Sequence, residues 1–322
     1  MRAAMVSSLD GPDAVEVVDV PEPTAGEGQV LVDVQTVGIA WPDLLLSKGE
    51  YQVRPELPFA LGVDAAGTVR EASGEYAAGD RVAVVQSHGS GCEVLAAPSE
   101  AVFPLPDEVS FEQAAGIGMN YLTAHFALAV RGSLAEGETV LVTGAAGGLG
   151  TALLQVAKGL GARTVGLVST AEKAEVARTA GADATVVLEE LDGRLKDAVV
   201  QAAGGPVDIV ADVVGGQLFT DYLRCLGEEG RLLVLGFTGG SIPEVKVNRL
   251  LLNNVDVRGV GWGAYAMSRR GYMRWQWDAL VPMMRAGTVD PPLGPVRPVE
   301  EIGAALVEMA ERKVLGKTVL RF

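Results

Sequence analysis

Cysteine is almost missing from this chain: 322 residues hold two, Cys92 and Cys225, far apart in sequence. Such a pair is not a disulfide framework, and the four clustered thiols of a structural zinc lobe are excluded. A reducing compartment fits, and the cytoplasm is the expected location. Aromatic residues are sparse at 5%. The N-terminal stretch has no unbroken apolar core of signal-peptide type, and no apolar run approaches the roughly 18 residues of a membrane helix. Basic residues are also in short supply. The 26 Lys and Arg face 41 Asp and Glu, for a net charge of −15. No Lys/Arg stripe offsets that field, so nucleic acid is excluded as a partner, and a well-solvated surface is the simple reading of the acidity.

Apolar residues make up 48% of the chain and charged ones 21%, enough to build real cores. The length suits two domains on the usual prior of about 150 residues each. Short β-branched runs at 15–20, 30–37, 65–69, 81–85 and 94–97, parted by turn-rich links, suggest a partly open barrel or sandwich. The pattern changes at Ser110, which with Gln113 forms a capping box ahead of an apolar stretch over 111–130. From Thr139 strands and helices alternate. Strands are expected at 139–143, 164–168, 184–187, 207–212, 231–235 and 255–260. Helices are expected at 148–160, 172–180, 191–203 and 218–226. The strands are nearly continuous in apolar residues, as in a parallel sheet covered on both faces. An aromatic and Met segment follows residue 260, then a helix around 300–312 and a final strand at 318–322.

The strongest local signal joins the strand 139–143 to a glycine-rich turn that opens a helix. Its residues are Gly144, Ala145, Ala146, Gly147, Gly148, Leu149 and Gly150. Gly144 permits the tight turn, Gly147 and Gly148 let the backbone approach a diphosphate, and Gly150 lets helix pack close on strand. The amides and dipole at the helix start favour the anion. Ala145 stands where the strict G-x-G-x-x-G pattern has its first glycine. An ordinary tight turn does not need four glycines in seven residues, so the pattern points to a dinucleotide.

The second strand selects which one. An NAD enzyme normally carries Asp or Glu at that strand tip to hold the ribose 2′-hydroxyl. Here Ser169 and Thr170 stand at the tip, and Lys173 follows in the first helical turn. Hydroxyls plus an ammonium bind a 2′-phosphate, which a carboxylate would repel. Glu172 is a counter-signal, unless it faces solvent or caps the helix. NADPH is the expected cofactor.

No metal is expected. A catalytic zinc needs about three ligands from Cys, His and acids. The nearest pair is His88 and Cys92, with no third ligand of matching context. His125 falls on the apolar stretch 111–130 and reads as structural.

Several motifs in order resemble the medium-chain dehydrogenase/reductase superfamily, in its zinc-free NADPH:quinone oxidoreductase branch. They start at Gly38, Gly49, Leu57 and Asn120, continue through the turn 144–150 and Val234, and end at Gly316. The resemblance implies an α/β fold in which a doubly wound Rossmann parallel sheet is inserted into a GroES-like β-barrel catalytic domain. The expected divisions are 1–120 and 261–322 for the catalytic domain and 121–260 for the NADPH-binding domain. Zinc-dependent relatives carry Cys where Ala40 stands and His where Val63 stands, and both ligands are missing. The zinc-free branch often has Asn at the Ala40 position, so this chain departs there, which implies a drier pocket. The resemblance also implies an active site in the cleft between the domains. There Thr123 would orient the nicotinamide, Phe237 would flank the cofactor and Tyr51 would reach the substrate. Each has a plainer reading, Thr123 as a helix hydroxyl bonded to its own backbone and the other two as packing aromatics.

The expected reaction is hydride delivery from NADPH to a quinone or an α,β-unsaturated carbonyl, a small apolar electrophile, with Tyr51 or water supplying the proton. Two alternatives stay open: an enoyl-thioester reductase, and a non-catalytic NADPH-binding redox sensor. The aromatic and Met segment, with Trp262, Tyr265, Met267, Met273, Trp275 and Trp277, reads as core or dimer surface ahead of substrate pocket. The strand at 255–260 would be an exposed sheet edge in a monomer, so a homodimer is expected.

Overall fold

The computed structural model describes residues 1–322. The chain forms two compact units. One holds Met1–Asn120, Ala266–Arg285 and Leu293–Phe322, and the other holds Tyr121–Tyr265 and Ala286–Pro292.

In chain order the first elements are β1 (Arg2–Val6), β2 (Val15–Asp19), β3 (Gln29–Ile39), α1 (Trp41–Ser47), β4 (Phe59–Ala60), β5 (Asp64–Val69), β6 (Arg81–Val85), β7 (Val94–Pro98), β8 (Val102–Pro104) and α2 (Phe111–His125). The middle of the chain gives β9 (Thr139–Thr143), α3 (Gly148–Gly159), β10 (Arg163–Val168), α4 (Ala171–Thr179), β11 (Ala184–Val187), α5 (Leu195–Ala203), β12 (Val207–Asp212), α6 (Phe219–Cys225), β13 (Leu226–Val234), α7 (Asn248–Asn253) and β14 (Asp256–Gly259). Then come α8 (Trp262–Ala266), α9 (Tyr272–Arg285), β15 (Arg297–Pro298), α10 (Ile302–Ala310) and β16 (Thr318–Arg321).

The first unit is a GroES-like, largely antiparallel β structure. One sheet runs β2-β1-β4; the other runs β15-β16-β3-β5-β6-β8, with β7 also on β3. Strand β3 organises the second sheet. Its β-branched run is buried along most of both faces, and it pairs β7 through residues 29–33 and β16 through residues 36–39. A register shift against β5 between Val34 and Thr36 bends it from one neighbour to the next. Residue 38 must be glycine, because a Cβ there would lie 1.7 Å from the Ala115 carbonyl oxygen on α2. Trp277 of α9 is fully buried, stacks on Phe103 at 5.0 Å between ring centres, and donates its indole N–H to the Pro104 carbonyl.

This unit also buries charge. Lys317 Nζ lies 2.8 Å from Asp64 Oδ2, with the two side chains 2% and 1% exposed. Asp64 Oδ1 accepts the Met119 N–H at 2.7 Å. Gly118 makes room for that contact, since a Cβ there would meet Asp64 Oδ1 at 2.5 Å. Burial pushes the Asp64 carboxyl above its ordinary range, and the Lys317 ammonium pulls it back.

The second unit is a Rossmann sheet. Six parallel strands run in the order β11-β10-β9-β12-β13-β14, the doubly wound 3-2-1-4-5-6 arrangement. Leu141, Val165, Val210 and Leu232 from its central strands pack with Leu195, Val199, Tyr222 and Leu223 of α5 and α6. Glu138 and Arg231 form a two-pronged ion pair at 2.8 and 2.6 Å, and Arg231 Nε also donates to the Gly132 carbonyl.

The capping box forms as the sequence indicates: Ser110 N donates to Gln113 Oε1 at 2.8 Å, and Gln113 N to Ser110 Oγ at 3.2 Å. Other boundaries differ. The apolar stretch after Ser110 is an α-helix only to His125, then a π-helical turn over Phe126–Arg131. The helix expected from residue 191 starts at Leu195, because Gly193 has φ +121° and Arg194 is an extended N-cap. The strand expected from residue 231 starts at Leu226. The aromatic and Met segment is helical, with Trp262 and Trp277 in the core and Trp275 half exposed. No helix is long and apolar enough to cross a membrane.

Candidate functional site

In an open α/β sheet of this order, ligands bind outside the carboxyl ends of the strands, where the winding direction reverses. That point lies between β9 and β12. The residues at these strand ends make one constellation within the second unit.

Strand β9 ends on Thr143 and enters Gly144 at φ +60°. Gly147 N donates to the Gly144 carbonyl at 3.1 Å, closing the turn, and Ala145 N donates to the Leu167 carbonyl of β10. A Cβ on Gly150 would lie 2.2 Å from the Gly144 oxygen, so only glycine lets α3 begin this close to the strand. Gly147 is the N-cap and brings no side chain to the amides of the first turn. A Cβ on Gly147 would meet nothing of the protein closer than 3.6 Å. No other part of the protein crowds that position. Gly148 and Leu149 are half-buried, whereas Ala145 and Ala146 are buried, so Ala146 presents backbone only.

A polar clamp that no local sequence pattern announces stands beside this turn. Thr143 Oγ1 donates to Asp212 Oδ1 at 2.7 Å and accepts the Val213 N–H at 3.0 Å. Asp212, buried at the end of β12, accepts the amides of Val214 and Gly215 at 3.0 Å each. Burial raises its carboxyl, and the Thr143 hydroxyl and the two amides oppose that rise. The loop after β13 is zipped to the loop after β12: Thr238 N and Oγ1 reach the Val213 carbonyl, and Gly239 N reaches Val214. Phe237 sits on this seam, 40% exposed, with its ring 3.0 Å from where a Cβ on Gly215 would be. The clamp's trace in the sequence is that two mainly apolar strands, TVLVT and VDIVAD, each end on a polar residue.

At the tip of β10, Ser169 is exposed and Lys173 half-buried. Thr170 is the N-cap of α4 and accepts the Lys173 amide at 3.3 Å, so its hydroxyl is committed to the helix. The tip of β10 itself carries no acid, but one approaches it from the neighbouring strand. Glu189, just past β11, accepts the Ala171 amide on Oε1 at 3.0 Å and donates its own N–H to the Ser169 carbonyl at 3.2 Å. The parallel pairing of β10 and β11 brings it there, from 20 residues downstream of Ser169.

Thr123 is half-buried on α2. Two residues before it, the Tyr121 hydroxyl donates to Gln155 Oε1 of α3 at 2.6 Å, and Gln155 Nε2 donates to the Asp290 carbonyl. The end of α2 is thereby tied to the helix that opens at the glycine turn. Tyr51 belongs to the first unit, half-buried after α1. Burial raises its phenol, and the nearby Asp43 carboxylate raises it further. Asp43 accepts the amides of Ala40 at 2.8 Å and Gly62 at 3.1 Å, and burial pushes it up to about 7.

The residues do not fit a zinc ion. No group of three or more His, Cys, Asp or Glu is placed to hold a metal. The Cys92 thiol has the Gly89 and Val94 carbonyls within reach of its one proton, at 3.3 and 3.2 Å, and burial pushes it up to about 12. His88 bonds Ser87 and turns its ring edge-on to Phe59. Ala40 and Val63 are both buried and apolar.

Comparison with known proteins agrees with this architecture. Residues 26–140 match the alcohol dehydrogenase GroES-like domain family, and residues 148–278 match the family described as zinc-binding dehydrogenase. Quinone oxidoreductase-like protein 2 of Bos taurus is 36% identical over 99% of this chain and 92% of its own length. A probable oxidoreductase from Mycobacterium abscessus has a crystal structure that superposes with a TM-score of 0.89, at 40% identity over 100% of this chain and 99% of its own. The quinone oxidoreductase of Thermus thermophilus, solved also with NADPH, superposes at 0.84 with 33% identity over the full length of both chains. Likeness this extensive, joined to a GroES-like unit and a 3-2-1-4-5-6 parallel sheet, places the chain in the quinone oxidoreductase branch of the medium-chain dehydrogenase/reductase superfamily.

Proposed function

We propose that this chain is an NADPH-dependent oxidoreductase that reduces a quinone or an α,β-unsaturated carbonyl without a metal ion. One observation carries the reading: the uncapped, side-chain-free turn at Gly147 opens α3 at the reversal point of the sheet, where a diphosphate is held in this fold. The names of the relatives support the acceptor class. The poor fit of His88, Cys92, Ala40 and Val63 to zinc supports a metal-free reaction.

NADPH supplies a hydride when bound. The amides of Gly148, Leu149 and Gly150 hold the diphosphate, with Gly144, Ala146 and Gly147 giving the backbone its approach. Ser169 and Lys173 would hold the 2′-phosphate, and Phe237 and Thr123 would lie beside the nicotinamide. Hydride arrival leaves negative charge on the substrate oxygen. Tyr51, whose phenol is held protonated by burial and by Asp43, donates the proton there. The protein works as a homodimer in this reading. Strand β14 ends the six-stranded sheet, and Ile242, Val247, Leu251 and Leu252 are exposed in the stretch just before it.

Stopped-flow oxidation of NADPH with 9,10-phenanthrenequinone and with crotonyl-CoA tests the reading. Turnover with the quinone is expected. Tight NADPH binding with no turnover of either would overturn it in favour of a sensor, and turnover of crotonyl-CoA alone would reassign the acceptor.

A further inference from the structure

The tip of β10 is where the adenosine ribose of a dinucleotide rests in this fold, and an acid at the end of that strand marks NAD enzymes by accepting from the 2′-hydroxyl. This chain has Ser169 at that place. The acid arrives instead from the neighbouring strand, as Glu189, and it is fixed by two hydrogen bonds: its carboxylate on the Ala171 amide at 3.0 Å and its amide on the Ser169 carbonyl at 3.2 Å. The first turn of α4 is therefore already served, with the Ala171 amide on Glu189 and the Lys173 amide on Thr170. Charge points the same way. Residues 169–173 and 188–190 carry one cation, Lys173, against Glu172, Glu189 and Glu190, all three exposed.

We propose that Glu189 sets the coenzyme preference of this chain: its carboxylate accepts from a ribose 2′-hydroxyl and repels a 2′-phosphate, so that NADH is taken alongside NADPH. This rests on the reading that the turn 144–150 holds a nicotinamide dinucleotide, and it adds the residue that weakens discrimination between the two forms. Binding of NADPH requires Glu189 to give up the Ala171 amide or tolerate the phosphate beside it. NADH brings no second anion to Glu189.

Glu189→Gln is the informative change, because the amide oxygen can still accept from Ala171 while the charge is gone. Titration calorimetry of the whole chain with 2′,5′-ADP, 5′-ADP, NADPH and NADH separates the ribose contact from the rest of the coenzyme. The wild type should bind NADH and NADPH within about tenfold of each other. Glu189→Gln should tighten 2′,5′-ADP and NADPH by about tenfold, the scale of one like-charge contact removed near a surface, and loosen NADH about threefold. Glu189→Ala should move 2′,5′-ADP in the same direction. Unchanged 2′,5′-ADP affinity in both variants would overturn the inference while leaving the NADPH reading intact, as would a wild type that rejects NADH. Silence from all four ligands with the wild type would overturn both together.

Discussion

The buried ion pair of the first unit offers the sharpest stability test. Replacing Lys317 by Met keeps the length and apolar bulk of the side chain and removes its charge. Lys317 Nζ is 2.8 Å from Asp64 Oδ2, with both side chains almost wholly buried. At that distance, attraction at an effective dielectric of about 20 is roughly 6 kcal/mol, and much of it offsets the desolvation of two ions. The variant keeps the desolvation of Asp64 and loses the compensation, leaving the carboxylate with the Met119 amide at 2.7 Å. Breaking a buried pair from one side costs about 3–5 kcal/mol, a large share of the roughly 5–15 kcal/mol that holds a domain folded. The loss should depend on pH. Burial already raises the folded-state pKa of Asp64, and removing the cation raises it further. A raised carboxyl contributes stability at low pH that is lost as pH rises through its folded value. Lys317→Met should therefore cost about 4 kcal/mol at pH 8 and less as the pH falls and the Asp64 carboxyl takes up a proton. Asp64→Asn in the same chain should recover at least half of the loss at pH 8. Urea unfolding followed by tryptophan fluorescence, with Trp277 buried in this unit, reads the change. A cost below about 1 kcal/mol at pH 8, or one that stays flat from pH 5 to 8, would refute the charge argument.

Further outcomes are expected at the candidate site and at the sheet edge. Gly147→Ala should leave the melting temperature within about 2 °C of wild type yet weaken NADPH at least tenfold, because its methyl finds protein no closer than 3.6 Å but fills the approach to the α3 amides. Gly150→Ala, with its Cβ 2.2 Å from the Gly144 oxygen, should lower both. Equal binding by Gly147→Ala and wild type, measured by calorimetry, would move the coenzyme elsewhere. Lys173→Ala should weaken NADPH far more than NADH, and equal effects would remove Lys173 from the phosphate. Tyr51→Phe should lower kcat about a hundredfold with NADPH affinity unchanged, the scale of a lost proton donor; full turnover would leave water as the proton source. Light scattering should find a dimer, and Leu251→Asp with Leu252→Asp should shift it toward monomer.

Much of the second unit is legible in the sequence because its strands are buried on both faces and read as short apolar runs. TVLVT at residues 139–143 and VDIVAD at residues 207–212 appear in the structure with unchanged bounds. The glycine turn is legible because Gly144 and Gly150 each meet a separate backbone requirement, a positive φ and a close approach. Boundaries set by single residues are harder to read. Gly193 unwinds what hydrophobic spacing alone extends into one longer helix. Contacts between distant segments escape any local pattern. Asp64 and Lys317 are 253 residues apart, Thr143 and Asp212 are 69 apart, and Glu189 reaches Ala171 only because two parallel strands share a register. The aromatic and Met segment reads ambiguously because Trp277 buries its ring and bonds its indole N–H, whereas Trp275 two residues earlier stays half exposed.

The Thr143–Asp212 clamp has a thermodynamic consequence for ligand capture. Because the amides of Val213, Val214 and Gly215 are already bonded, the two segments that border the glycine turn 144–150 lose their conformational freedom during folding and not on encounter. A partner arriving at a surface already ordered forfeits less of its intrinsic affinity to immobilisation. Removing the clamp, as in Asp212→Ala, would transfer that ordering to the association step and make the entropy of coenzyme uptake more unfavourable.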